Sequence, residues 1–132
     1  MNWEWTSSLE TGIEQIDEQH KELFNRIDKL ELAIYKGRAA IELESLMKYL
    51  ESYIIEHFEM EEQLMLDHIY PNFAAHSRQH NEFRNILTGI MDSCRNRGAD
   101  SYLAIDVDKQ MRKWWENHIL KMDMAYIPFV KK

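Results

Sequence analysis

Apolar positions fall into four stretches with the three-and-four spacing of one helix face. In the first, Asp17 is a candidate cap, and His20, Phe24, Ile27, Leu30 or Glu31, and Ile34 form the stripe up to Lys36, where Gly37 ends it. The second runs from about Ala40 to about Leu66 and places Leu43, Leu46, Met47, Leu50, Tyr53, Ile54, His57, Glu61, Leu64 and Met65 on its inner face. Asp67 to Tyr70 turns the chain, and Pro71 suits the first turn of a third helix. That helix carries Phe73, His76, His80, Phe83, Leu87, Ile90 and Cys94 before a turn from Asn96 to Ala99. A fourth begins near Asp100 with Leu103, Val107, Met111, Trp114, His118 and Met122 on its stripe, and Pro128 lies past its end. The first fifteen or so residues hold Trp3, Trp5, Leu9 and Ile13 without helical spacing, which predicts an extended arm that lays its tryptophans on the bundle.

Helices of roughly 20 to 27 residues joined by turns of a few residues must run antiparallel to their neighbours, because such short connections cannot return along a helix. The pattern therefore predicts an all-α, antiparallel up-down-up-down four-helix bundle with an N-terminal extended arm. No repeat, linker or low-complexity tract divides it, so residues 1–132 are expected to form a single domain.

Composition agrees, since only four glycines and two prolines interrupt the chain. The net charge of -7 repels phosphate backbones, so no nucleic-acid partner is expected. No stretch approaches the roughly 20 apolar residues that span a bilayer, so no membrane insertion is expected, and no basic start leads into an apolar run as in a secretory signal. A lone cysteine, Cys94, fits a reducing cytosol and reads as a small buried hydrophobe. Cytoplasmic localisation and a monomer are the expectations.

Histidine placement changes the picture most. Five of the six histidines lie on apolar stripes, where a buried imidazole needs a partner. His57 and Glu61 are four apart, as are His76 and His80, so each pair projects side by side from one helix face. In an antiparallel bundle the start of helix one, the end of two, the start of three and the end of four share one end, which brings His20 and His118 to the same place. Asp123 follows His118 by five positions, about 140° off the face of a regular α-helix, and would miss that place. A wider i to i+5 turn or a local unwinding would bring it round. His68 sits in a turn and is expected to be exposed and no ligand. Glu56, Glu59 and Glu62 read as a solvated face, and Met47, Met65, Met91, Met111 and Met122 as gap-filling core residues.

These residues resemble the hemerythrin family, specifically its short single-domain bacterial members. The likeness covers nearly the whole chain: an early tryptophan, Gly12-Ile13 to Ile16-Asp17-Glu18-Gln19-His20, His57-x-x-x-Glu61 followed by Glu62, His76-x-x-x-His80, and Trp114 to Asp123. The resemblance implies a non-haem, oxo- or hydroxo-bridged site of two iron ions. One iron would be held by His76, His80 and His118, the other by His20 and His57, with Glu61, Asp123 and a solvent oxygen as bridges. The second iron would then be one ligand short of octahedral, and dioxygen would bind there reversibly. The resemblance also places Phe58, Trp114, Trp115 and Ile119 around the oxygen pocket, Trp115 where well-studied relatives carry an aliphatic side chain.

Oxygen carriage, storage or delivery to an oxygen-consuming partner protein is thus the expected role, without enzymatic turnover and with no catalytic residue. Two rivals use the same centre: a di-iron enzyme that reduces nitric oxide or peroxide, and an oxygen or redox sensor acting through a partner. No Glu-x-x-His pair of the ferritin-like di-iron proteins is present. Neutral imidazoles favour the ferrous pair over the high-valent states that attack substrates, which puts binding ahead of oxygenation.

Overall fold

The computed structural model describes residues 7–130. Trp3 and Trp5, and with them the docking expected of the arm, lie outside the described residues. A 3-10 turn at Ser7–Leu9 leads into α1 (Glu14–Tyr35), α2 (Ala39–Asp67), α3 (Phe73–Arg97) and α4 (Ser101–His118). A π turn, Ile119–Asp123, then joins α4 to a short α5 (Met124–Val130). Four long helices form an all-α bundle in which α1 packs on α2 and α4, and α3 packs on the same two.

Asp17 does not cap α1, which starts earlier, after Ile13. It lies one turn inside and reaches back instead. One carboxylate oxygen accepts from the amide and hydroxyl of Thr11, the other from the amide of Gly12, so the chain entering the helix is tied down by a residue within it.

Helix ends follow the turn chemistry. Gly37 (φ 72°) leaves α1 in a two-bond C-terminal motif, its amide on Ile34 O and that of Arg38 on Ala33 O. α2 ends with the same pair of bonds, Ile69 to Leu66 and Tyr70 to Met65, but there the left-handed position holds Ile69 (φ 53°). Pro71 precedes Asn72, the residue flanking α3, and so stands in the turn rather than in the first helical turn. Asp100 caps α4, its side chain accepting from the Leu103 amide. Pro128 is inside α5 rather than past the last helix. Its neighbours Tyr126, Ile127 and Phe129 pack on Ile16, Met65 and Tyr70, and this packing carries α5 through the one backbone bond proline cannot donate.

The core has two parts. A long cluster runs from Leu23 and Phe24 through Leu46, Leu50, Phe83, Leu87 and Val107 to Trp115 and Ile119. A small one, around Ile16, Met65 and Tyr126, closes the end of the bundle. Along every helix the histidines fall between the two. Cys94 is half-buried against the long cluster rather than fully inside it. Met47, Met65 and Met111 are buried and Met91 and Met122 half-buried. Arg112, buried in α4, ties that helix to α1 through Asp28 and Glu31, at 2.9 and 3.0 Å, while also holding Asp108.

Candidate metal centre

Residues from every long helix meet in the layer between the two clusters. α1 brings His20, α2 His57 and Glu61, α3 His76 and His80, and α4 His118. On a regular helix Asp123 would face away from His118, but the π turn absorbs one extra residue and returns it to the same face. All seven side chains are buried, none more than 1% exposed.

Asp123 sits between three rings: Oδ1 is 3.0 Å from His76 Nε2 and 3.1 Å from His118 Nε2, and Oδ2 is 3.2 Å from His20 Nε2. Glu61 Oε1 lies 3.2 Å from His57 Nε2 and 3.4 Å from His80 Nε2. The donor atoms divide into two groups, each within 4.8 Å: His76, His80 and His118 with both carboxylates, and His20 and His57 with both carboxylates. Each carboxylate belongs to both.

The outward ring nitrogens decide what the inward ones can do. His80 Nδ1 is 2.8 Å from Glu62 Oε2, which can only accept, so Nδ1 carries the proton. Nδ1 of His57 faces Gln19 Oε1 at 2.5 Å, and that of His118 faces Gln79 Oε1 at 2.9 Å. Fixing the proton on Nδ1 leaves Nε2 bare, aimed at a carboxylate oxygen. The Nε2 atoms of His57, His76, His80 and His118 make no hydrogen bond among the described residues, nor do either Asp123 oxygen or Glu61 Oε1. For the rings of His57, His80 and His118, lone pairs facing lone pairs at 3.1–3.4 Å in a dry core repel unless cations lie between them, so this donor set fits bound metal.

Burial opposes charge on Asp123, yet His118, His20 and His76 hold its carboxyl well below the usual range. Burial and Asp123 oppose charge on Glu61, and His57 and His80 outweigh them, so its carboxyl is also lowered. Burial lowers His57. For His76 burial works downward, but the adjacent Asp123 carboxylate prevails and raises it. Both carboxylates are thus kept ionised.

Trp115 is fully buried, its ring centroid 6.0 Å from that of His57, 5.9 Å from His118 and 6.4 Å from His20. Phe58 stacks on His80 at 3.8 Å, and Ile119 is fully buried. Trp114, half-buried, packs edge-on against Trp115 at 5.0 Å, stacks on His118 at 4.6 Å and points Nε1 at Glu82. His68 is exposed, its Nδ1 on Leu64 O.

Several contributors escaped the sequence reading. Glu62 belongs not to a solvated face but to His80, and Tyr126, deep in the core, donates to Glu61 Oε2 at 2.8 Å. Gln19 and Gln79 each directly precede a site histidine and each reach the histidine of the next helix, a repeated Gln-His pair that could have marked them. Tyr53 stacks on His57 at 4.9 Å, and burial, reinforced by Glu61, raises its phenol well above the ordinary value. With His57 and Gln19 it lines a groove of about 460 Å³ between α1 and α2, rimmed by Glu18, Glu22 and Glu56.

The family model described as "Hemerythrin HHE cation binding domain" matches residues 11–130. A bacteriohemerythrin of Methylococcus capsulatus is 28% identical, the alignment covering 94% of this chain and 93% of that one. A myohemerythrin of Theromyzon tessulatum is 29% identical over 94% and 90%. Among solved structures, a wild-type hemerythrin crystal structure superposes with a TM-score of 0.80 at 25% identity, covering all of both chains.

Proposed function

Because the chain belongs to the hemerythrin family, we propose that it binds dioxygen reversibly at a non-haem di-iron centre, for carriage, storage or delivery to an oxygen-consuming protein. His76, His80 and His118 would hold one iron and His20 and His57 the other, with Glu61 and Asp123 available to both. The observation that carries this reading is the unequal division of five imidazoles around two shared carboxylates. Iron bound there would supply the two electrons that dioxygen takes up.

The chain's own residues do the rest. Glu62, Gln19 and Gln79 keep the outward nitrogens protonated and the rings oriented. Tyr126 holds Glu61 in place. Phe58, Trp115 and Ile119 keep water from the interior, and Trp114 covers the outer face of His118. Neutral imidazoles dominate the ligand set, which favours binding over oxidation of a substrate. Among the described residues no helix is long and apolar enough to cross a membrane, and the lone Cys94 suits a reducing cytoplasm.

The test is the visible spectrum of the anaerobically reduced, iron-loaded protein on exposure to oxygen and after its removal. A coloured adduct that bleaches back supports the carrier. Irreversible conversion in one turnover overturns it in favour of an enzyme.

A further inference from the structure

Two buried hydrogen-bond donors stand beside the His20 and His57 half of the site without an acceptor among the described residues: the Tyr53 hydroxyl and the Trp115 Nε1–H. Tyr53 is 8% exposed and Trp115 not at all. Tyr53 lies one turn before His57 on α2 and stacks on its ring, the planes 19° apart. Trp115 meets Tyr53 edge-on at 5.7 Å and lies against the rings of His57 and His20 as well as that of His118. The rings of Phe58, Phe83 and Trp114, which also pack on Trp115, offer no acceptor.

A donor stranded in a dry core opposes folding, and a phenylalanine at 53 would fill nearly the same volume without that penalty. Two such donors side by side, against the half of the centre that has fewer protein ligands, have no use in packing. They do have one in recognition, because a site built with buried donors favours a ligand that accepts from them. Phe58 and Ile119 keep the surroundings dry, which strengthens any bond made to a charged acceptor.

We propose that Tyr53 and Trp115 are hydrogen-bond donors to a small anionic ligand taken up on the His20 and His57 side of the centre, an assignment that rests on the di-iron reading above. The pocket is then polar at one point, and selects ligands that carry negative charge when bound over neutral diatomics.

Azide titrated into the oxidised, iron-loaded protein tests this, with binding followed by visible absorption and iron content measured alongside. Tyr53→Phe and Trp115→Phe should each weaken azide binding about tenfold or more at unchanged iron content. The infrared stretch of bound azide should shift in deuterium oxide for the parent and not when both donors are replaced. In the metal-free protein, Tyr53→Phe should raise the melting temperature by about 3–5 °C, since a stranded hydroxyl is gone. Azide affinities within twofold of the parent for both variants would overturn the donor assignment and leave the di-iron reading standing. A lower melting temperature for metal-free Tyr53→Phe would overturn the role of Tyr53, by showing that its hydroxyl serves the fold. A parent protein that takes up iron but gives no azide band overturns both.

Discussion

Tyr126 and Glu61, 65 positions apart, are joined by a 2.8 Å hydrogen bond in which the phenol donates to Oε2. The bond ties the short helix after the π turn to the carboxylate shared by both histidine groups. Tyr126→Phe leaves Oε2 buried with no donor, at a cost of about 1–3 kcal/mol. The variant should melt several degrees lower and release metal faster to a chelator. An unchanged release rate would mean that Glu61 needs no support.

Glu62 and Gln79, each bonded to the outward nitrogen of a site histidine, should act on metal affinity from outside the interior. Replacing either with alanine frees the ring of His80 or His118 to rotate or to exchange tautomers, and losses of about 10–100-fold in affinity are expected. Competition with a chelator measures this. Glu59→Ala, on the exposed face of the same helix as Glu62, is the control and should match the parent.

Metal and fold should be coupled. Two ionised carboxylates face bare imidazole nitrogens in the core, and a bound cation relieves what burial strains. At a thousandfold excess over Kd, metal adds about 4 kcal/mol, so its removal should lower the melting temperature by about 10 °C or more. A melting temperature indifferent to chelation would show water reaching the site.

Ile69 is a weak point unconnected with metal. It holds the left-handed position that glycine fills at the end of α1, its side chain is 86% exposed, and a β-branched residue there costs about 1–2 kcal/mol. Ile69→Gly should raise the melting temperature by a few degrees with metal content and spectra unchanged. If stability falls, the isoleucine makes an interaction that outweighs its backbone strain.

The helices and the meeting of the histidines were legible because both depend on spacing within one helix: His57 with Glu61 and His76 with His80 need only the pitch of an α-helix. Asp123 was legible only conditionally, since nothing in Ile119 to Met122 announces a π turn. Glu62, Tyr53 and Tyr126 were not, because their roles depend on how far one helix is rotated against another, which no periodicity within a single helix records. Pro128 misled for a related reason: packing against Ile16 and Tyr70 sustains a helix that local propensity would end. Asp17 was recognised as an end-of-helix residue but given the wrong direction, because its partners, Thr11 and Gly12, lie before the helix rather than in it.

The π turn also makes chain length a functional variable. Removing one residue from Leu120 to Met122 would restore four-residue spacing between His118 and the carboxylate, and the carboxylate could still meet the rings. Tyr126, three positions after the carboxylate, would move with it and stay beside Glu61, whereas one residue added here would turn both by about 100° away from the rings. The turn therefore already holds the one extra residue that this register can absorb. Side chains at Leu120 and Lys121, which are exposed, can vary in kind, so related sequences should tolerate substitution, or loss of one residue, here far more readily than insertion.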